Sequence, residues 1–487
     1  MHCLRIVRGN TEAIMQSIHE TYIDGTFVTP HGTETVEIIN PTTERPLARA
    51  TLADTEDTRR AIAAAKRALP AFAQTTVGER VAMLKRLHAA VLECSDALRD
   101  ATIEEYGAPV SRATWISRFA AQSFLDAAMT LEAYDFTRVM GTSTVVMEPV
   151  GVAALITPWN STAGSICSKL AMAIAAGCTS VIKPSELSPI QNRIVTEAIH
   201  AAGLPAGIVN IVTGRGDVVG AELSTHPDVA KISFTGSTAV GKIIQRAATD
   251  TMKRVHLALG GKSPSIILDD ADLTKAVPLA LNAAFMNNGQ ACISGSRLLV
   301  PERRLAEVIT VVKETVAQMK VGDPADPTTV IGPLANRNQY ERIQNYIRLG
   351  LAEGATLITG GEGRPAGLEH GYFVKPTVFA NVHSEMTIAR EEIFGPVLSI
   401  LTYGSDEEAI DMANDTVFGL HAYVMSSDPA RAKAVAKRLQ AGRVMINTLQ
   451  HDPLAPFGGF KQSGVGREYG VLGLESYLEA KTLLGVS

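Results

Sequence analysis

From Val150 onward, short apolar runs alternate with stretches of helical periodicity, in the order VGVAALITP, CTSVIKP, GIVNIVTG and KISFTGS. Each run is long enough for one buried strand and is followed by enough residues for a crossover helix. The rhythm predicts a parallel sheet with helices on its faces, a nucleotide-binding type of domain. Such sheets place their ligands outside the carboxyl ends of the strands, so the residues that close each run are where chemistry is expected. After Gly260 and Gly261 a second series follows, PSIILDD, SRLLVP, TLITGG, YFVKPTVF and VLSILTY, which predicts a second α/β domain. Ahead of both, the strand-like YIDGTF precedes apolar residues at helical spacing (Ile62, Ala65, Leu69, then Val81, Leu84, Leu87, Val91), so helices are expected from Thr55 to about Asp100. The segment TRVMGTSTVVM and the C-terminal YLEAKTLLGVS read as isolated strands that close no sheet of their own. Strands of that kind often pair with another subunit, which predicts a homo-oligomer.

Composition excludes several classes of function. With 487 residues, 46% of them hydrophobic, the chain can bury the cores of two or three domains. A net charge of -5 gives no electrostatic reason to bind nucleic acid. No run approaches the roughly 20 apolar residues of a membrane span, so no membrane partner is expected. Five cysteines, an odd number without a CxxC pair, point to a reducing compartment and a cytoplasmic location. The eleven histidines show no HExxH and no pairing with cysteines, so no metal is expected. The opening MHCLRIVRGNTEAIMQS lacks the apolar core of a secretion signal and reads as a frayed leader.

Several motifs carry chemistry at the expected strand ends. FMNNGQACISGSR places a glycine three residues before Cys292, allowing the tight turn that presents a sulfur at a cleft. ITPWN ends its strand with Asn160, a carboxamide able to donate to a developing oxyanion. VIKPSE offers Lys183 and Glu186 to ribose hydroxyls, and SFTGSTAVG enters a helix whose first N–H groups suit a pyrophosphate. EEIFGPV supplies Glu392 and Phe394, a carboxylate and an aromatic face. GRGDVVG resembles a dinucleotide fingerprint, but its last glycine is one residue too far and it is treated as a decoy.

TPWN, KPSE, FTGSTAVG, LGGKSP, NNGQAC, EEIFGPV and PFGGFKQSGVGRE, in this order over nearly the whole chain, resemble the aldehyde dehydrogenase superfamily. The resemblance implies an α/β subunit of two Rossmann-like domains plus a β-strand oligomerisation arm, assembled as dimers or tetramers. It divides the chain into a NAD-binding domain (1–127 and 148–259), a catalytic domain (260–460), and an arm with C-terminal tail (128–147 and 461–487). It also implies an aldehyde substrate oxidised with NAD through a thiohemiacetal and a thioester. Cys292 matches the nucleophile, Asn160 the oxyanion donor, and Lys169 and Glu468 a pair near the active site. The implied cofactor contacts are Ile156, Thr157, Trp159, Lys183, Ser185, Glu186, Gly216, Phe234, Thr235, Gly236, Ser237, Leu259, Gly260, Glu392 and Phe394. A carboxylate at Glu186 accepts from a free 2′-hydroxyl and repels a 2′-phosphate, favouring NAD over NADP.

One position departs from the pattern. Where the superfamily carries the glutamate that activates water on the thioester, this chain has Ala258, in HLALGGKSP. Alanine takes no proton, so deacylation is expected to be impaired. An engineered replacement, Glu468 acting as substitute base, transfer of the acyl group to a thiol such as coenzyme A, and a silenced cofactor-binding relative are the four accounts that stand. Ser161, Ser165 and Ser168 fall on one face of the helix after Asn160. If they line the aldehyde tunnel with Ile293 and His451, the tunnel is wide and somewhat polar, suited to a medium or large aldehyde with a second polar group.

Overall fold

The computed structural model describes residues 15–485, so most of the leader segment lies outside the described residues. The first large sheet has eight strands in the order Gly464–Val465, Arg254–Ala258, Val229–Thr235, Val152–Ile156, Ser180–Lys183, Val209–Ile211, Thr21–Ile23 and Thr26–Val28. The strands from Arg254–Ala258 to Val209–Ile211 run parallel, and the two edges are antiparallel additions. YIDGTF is the outer hairpin on one side. The chain runs outward in one direction from Val152–Ile156, then returns to lay Val229–Thr235 on its other flank. That reversal opens a crevice at the carboxyl ends of these two neighbours, where Ile156 stands in register with Phe234.

The second sheet orders Thr356–Thr359, Thr377–Ala380, Val397–Tyr403, Arg297–Pro301, Pro264–Ile267, His421–Met425 and Arg443–Ile446. All neighbours are parallel except the first pair. The last two strands were not expected from the sequence, and YFVKPTVF is strand only from Thr377, after Pro376 removes a ladder donor. Helices Thr55–Ala73, Val77–Glu93 and Ser95–Tyr106 fall where the periodicity placed them, two of them opened by capping boxes at Asp54 and Thr76. A further helix, Val110–Glu132, was not anticipated.

The expectation of isolated strands is corrected. Thr137–Met140, Ser143–Pro149 and Leu478–Leu483 form a three-stranded antiparallel sheet within one chain, because Leu478–Leu483 pairs along its whole length with Thr144–Pro149. Residues 464 and 465 of the C-terminal segment instead join the edge of the first sheet, opposite Leu257 and Ala258. Cys167, Cys178 and Cys292 are free thiols.

Candidate active site

Three consecutive left-handed residues shape the loop that carries Cys292. Asn287, Asn288 and Gly289 have φ of 56°, 59° and 71°, a region open chiefly to asparagine and glycine. Gly289 has no substitute, since a Cβ there would stand 2.2 Å from the carbonyl carbon of Gly395. Hydrogen bonds hold the strained turn in place. Asn288 Nδ2 donates to the carbonyls of Gly107 and Pro333, each at 2.9 Å, and its Oδ1 accepts from the Gly332 N–H at 2.8 Å. Gln290 donates to the Tyr106 hydroxyl at 3.2 Å and accepts from the Ala335 N–H at 3.1 Å. Beyond the cysteine, the Tyr423 hydroxyl donates to the Ile293 carbonyl at 2.8 Å. A loop tethered on both sides gives its sulfur a defined position.

Cys292 and Asn160 line one cavity of about 1250 Å³. Asn160 Nδ2 donates to the Gln290 carbonyl at 2.8 Å, and the Asn160 backbone carbonyl accepts from Asn287 Nδ2 at 3.1 Å. The carboxamide is therefore locked to the cysteine loop, with one N–H left over. Ser161, Ser165, Ser168, Ile293 and His451 line the same cavity, as do Lys169, Thr235 and Glu468. Cys167 does not, being fully buried among apolar residues.

Burial first, and the Glu392 carboxylate second, push the Cys292 thiol up to about 12, against the pull of the backbone N–H groups of Cys292 and Ile293. Part of the residue still faces the cavity, but at neutral pH the sulfur of the protein alone is almost wholly protonated. The thiolate is the nucleophile, and its fraction grows with pH up to the folded pKa. Carbamoylmethylation of Cys292 by iodoacetamide in the absence of cofactor is therefore expected to accelerate about tenfold per pH unit between pH 7 and 9. A rate flat across that range would contradict a burial-raised thiol.

Ala258 closes the strand Arg254–Ala258, in register with Thr235 on one side and Gly464 on the other. Its carbonyl accepts from the Gly236 N–H at 3.2 Å, and the Leu259 N–H donates to Ser463 at 2.9 Å. The Ser463 hydroxyl donates to the Gly260 carbonyl at 2.6 Å. The frame around position 258 is thus fully bonded, and only the side chain is short. Glu468 forms an ion pair with Lys169, which also donates to Ser233 Oγ at 2.9 Å. Burial tends to raise the Glu468 carboxyl, but Lys169 and His256 together hold it below the usual carboxylate range.

The residues expected to hold a cofactor stand at strand ends of the first sheet and on segments that follow them or pack nearby. Ile156 and Phe234 floor it, Thr157 and Thr235 follow them, and Gly236 precedes Ser237, which caps the helix Thr238–Ala247 by accepting from the Val240 N–H at 3.3 Å. Thr157 Oγ1 is buried with no hydrogen-bond partner among the described residues, an orphan that a bound ligand could satisfy. Exposed Val240 and Ile243 on that helix offer an apolar face to a flat ring. Lys183 Nζ meets Glu186 Oε2 at 3.0 Å, with Ser185 buried between them in sequence. Gly216 opens a short π-helical turn, beside Asp217, whose carboxylate feels the charge of Lys183. Glu392 packs on Gly260 and accepts from the Gly261 N–H at 3.0 Å, while burial pushes its carboxyl up to about 6. Phe394 meets Trp159 edge to face at 5.5 Å. These groups fit a dinucleotide: donors and a carboxylate at strand ends, apolar faces at both ends, and one unsatisfied hydroxyl.

Sequence reasoning missed Tyr106, Asn287 and Gln290, whose task is to hold the loop. It also missed Arg112, Trp115 and Phe119, which line the cavity from the helix Val110–Glu132. Their i, i+3, i+7 spacing was the available signal.

A sheet pair with a dinucleotide-type crevice, and a cysteine-bearing cavity lined from both sheets, defines a nicotinamide-linked oxidoreductase. The chain belongs to the aldehyde dehydrogenase family, whose model matches residues 27–483. It is 46% identical over 473 residues to a 3-succinoylsemialdehyde-pyridine dehydrogenase of a Pseudomonas species, covering 97% of this chain and 99% of the relative. Among solved structures it resembles aldehyde dehydrogenase C of Pseudomonas syringae, a cysteine-to-alanine variant in complex with NAD+ and octanal. That match has a TM-score of 0.95 at 44% identity, covering 96% of this chain and 97% of the other. Betaine aldehyde dehydrogenase of Staphylococcus aureus, solved with NAD+, follows with a TM-score of 0.93 at 36% identity, covering 96% and 94%.

Proposed function

We propose that this protein oxidises a medium or large aldehyde with NAD, that the acyl group is formed on Cys292, and that its hydrolysis to the acid is slow because position 258 supplies no base. The observation that carries the reading is the locking of the Asn160 carboxamide to the Cys292 loop inside one cavity. The Cys292 thiol first loses its proton to solvent, its thiolate sulfur then adds to the aldehyde carbon as the carbonyl π bond opens, and the oxygen gains negative charge where the free Asn160 N–H and the Cys292 backbone N–H can donate to it. NAD, when bound, supplies the hydride acceptor. Lys183 and Glu186 would hold the adenosine ribose, the helix start at Ser237 the pyrophosphate, and Glu392 and Phe394 the nicotinamide ribose and ring. Trp159, edge-on to Phe394, would fix that aromatic face. The carboxylate of Glu186 favours a free 2′-hydroxyl and hence NAD over NADP.

Water must then attack the thioester, and the general base that takes its proton is absent at Ala258. Mixing the protein with NAD and aldehydes of graded length should give a burst of about one reduced cofactor per subunit, followed by a stall. Octanal or a benzaldehyde should give a faster burst than acetaldehyde, in keeping with a cavity of about 1250 Å³. Absence of any burst would sink the reading.

The proposal extends to domain division, assembly and location. The first sheet forms the NAD-binding domain, the second the catalytic domain, and the three-stranded sheet the oligomerisation arm. Val139 and Met140, 79% and 63% exposed on an edge strand, support a dimer or tetramer. No helix among the described residues is long and apolar enough to cross a membrane, and none of their His, Cys, Asp and Glu side chains cluster as a metal site. Three free thiols support a cytoplasmic location.

A further inference from the structure

We infer that the wall of the Cys292 cavity formed by Arg112, His451 and Arg443 is an anion-recognition subsite, and that the preferred aldehyde carries a carboxylate remote from its reacting carbonyl. The inference rests on the aldehyde-oxidising reading above and goes beyond it to the class of substrate.

Arg112, near the start of the helix Val110–Glu132, places its guanidinium carbon 4.2 Å over the Trp115 ring. Its Nε is enclosed by protein and donates to nothing among the described residues, and no carboxylate there pairs with the group. Beside it, His451 stands edge-on to the rings of Trp115 and Phe119 at 6.0 and 5.4 Å, with Nε2 buried and unpartnered among the described residues. Both ring nitrogens of His421, which lines the same cavity, are also buried without partners among the described residues. Arg443 donates to the carbonyls of Pro456 at 2.8 Å and Asp452 at 3.2 Å, and reaches His451 Nδ1 at 3.4 Å. The Asp452 carboxylate, whose field reaches Arg443 and His451, is turned onto its own loop, accepting from the N–H groups of Leu454 and Ala455 at 3.0 and 3.3 Å.

The remaining carboxylates of the cavity do not answer Arg112. Glu468 is taken by Lys169, and Asp126 lies fourteen residues along the same helix, roughly 21 Å away at 1.5 Å per residue. Arg112 is half-buried, yet its enclosed Nε is a donor that water does not reach, and such a donor is nearly always given an acceptor. Stacking on Trp115 supplies attraction to the guanidinium but no acceptor for its N–H groups. A ligand carboxylate supplies both charge and acceptors, in a geometry a guanidinium matches with two parallel bonds. The aromatic rings of Trp115 and Phe119 then flank the apolar body between the carboxylate and the aldehyde carbon.

The test pairs binding with chemistry. Hexanoate and hexan-1-ol are titrated calorimetrically into the protein and into Arg112→Met and Arg112→Lys, and burst rate constants with NAD are compared for 6-oxohexanoate and hexanal. Hexanoate should bind at least about tenfold more weakly to Arg112→Met, the size of one hydrogen bond to a charged group. Arg112→Lys should recover part of that loss, and hexan-1-ol should bind all three alike. The 6-oxohexanoate burst should exceed the hexanal burst by a similar factor in the protein and not in Arg112→Met. Equal hexanoate affinity for the protein and for Arg112→Met, or bursts that favour hexanal, would overturn the subsite. A selective loss of hexanoate in Arg112→Met without a burst from either aldehyde would support the subsite and sink the oxidation reading instead, so the two failures are distinct.

Discussion

Ala258→Glu is expected to raise steady-state aldehyde oxidation by about 100- to 10,000-fold, the range a positioned general base contributes to the step it serves. The burst rate should change much less, because the first half of the reaction uses Cys292 and Asn160. Position 258 ends its strand in register with Thr235, which itself lines the cavity. Its backbone is already bonded to Gly236 on one side and, through Leu259, to Ser463 on the other. Glu468 is a poor stand-in: the ion pair with Lys169 favours its ionised form and so weakens it as a proton acceptor. A gain under about tenfold in Ala258→Glu would mean that deacylation does not limit turnover. A gain of the same size in the unaltered protein on adding coenzyme A would point instead to transfer onto a thiol.

Cys292→Ser is expected to abolish the burst, lowering the rate of cofactor reduction by about a million-fold, as removal of the attacking side chain does in other covalent catalysts. NAD binding, measured by calorimetry, should stay within a few-fold, since Cys292 lies on the second sheet's loop and not in the crevice between Ile156 and Phe234. Cys167 and Cys178 cannot take over. Both are fully buried in the helical core of the first domain, and burial pushes each thiol far up, that of Cys178 to about 11. A burst that survives the substitution would remove the cysteine from the mechanism.

Strand rhythm and strand-end motifs were enough to read most strands of both large sheets from the sequence, because parallel strands buried on both faces leave uninterrupted apolar runs, but Arg254–Ala258, which opens on charged and histidine residues, was not among them. His421–Met425 and Arg443–Ile446 escaped that reading, the first opening on a histidine and the second following the arginine it begins with. The arm was misjudged because pairing between Leu478–Leu483 and Thr144–Pro149 spans more than three hundred residues of sequence, and nothing local announces it. For the site, Cys292, Asn160 and the serine face were legible from motif and spacing, and all of them line the cavity. The groups that hold the loop were not, since Tyr106, Gly107 and Pro333 come from segments without motifs of their own. Arg112 was invisible as a cavity residue for a similar reason: its meaning lies in the partner it lacks, and only the assembled fold shows that.

The central claim is that oxidation proceeds and then stops on Cys292. Intact-mass measurement after mixing with NAD and octanal, sampled from milliseconds to hours, tests it most directly. The account predicts that one octanoyl group per subunit appears with the burst, resides on Cys292, and persists for many times the burst period, while Ala258→Glu shows it only fleetingly. Steady production of octanoate by the unaltered protein, with no acyl mass accumulating and no thiol added, would contradict it and hand the role of base to another group, Glu468 first.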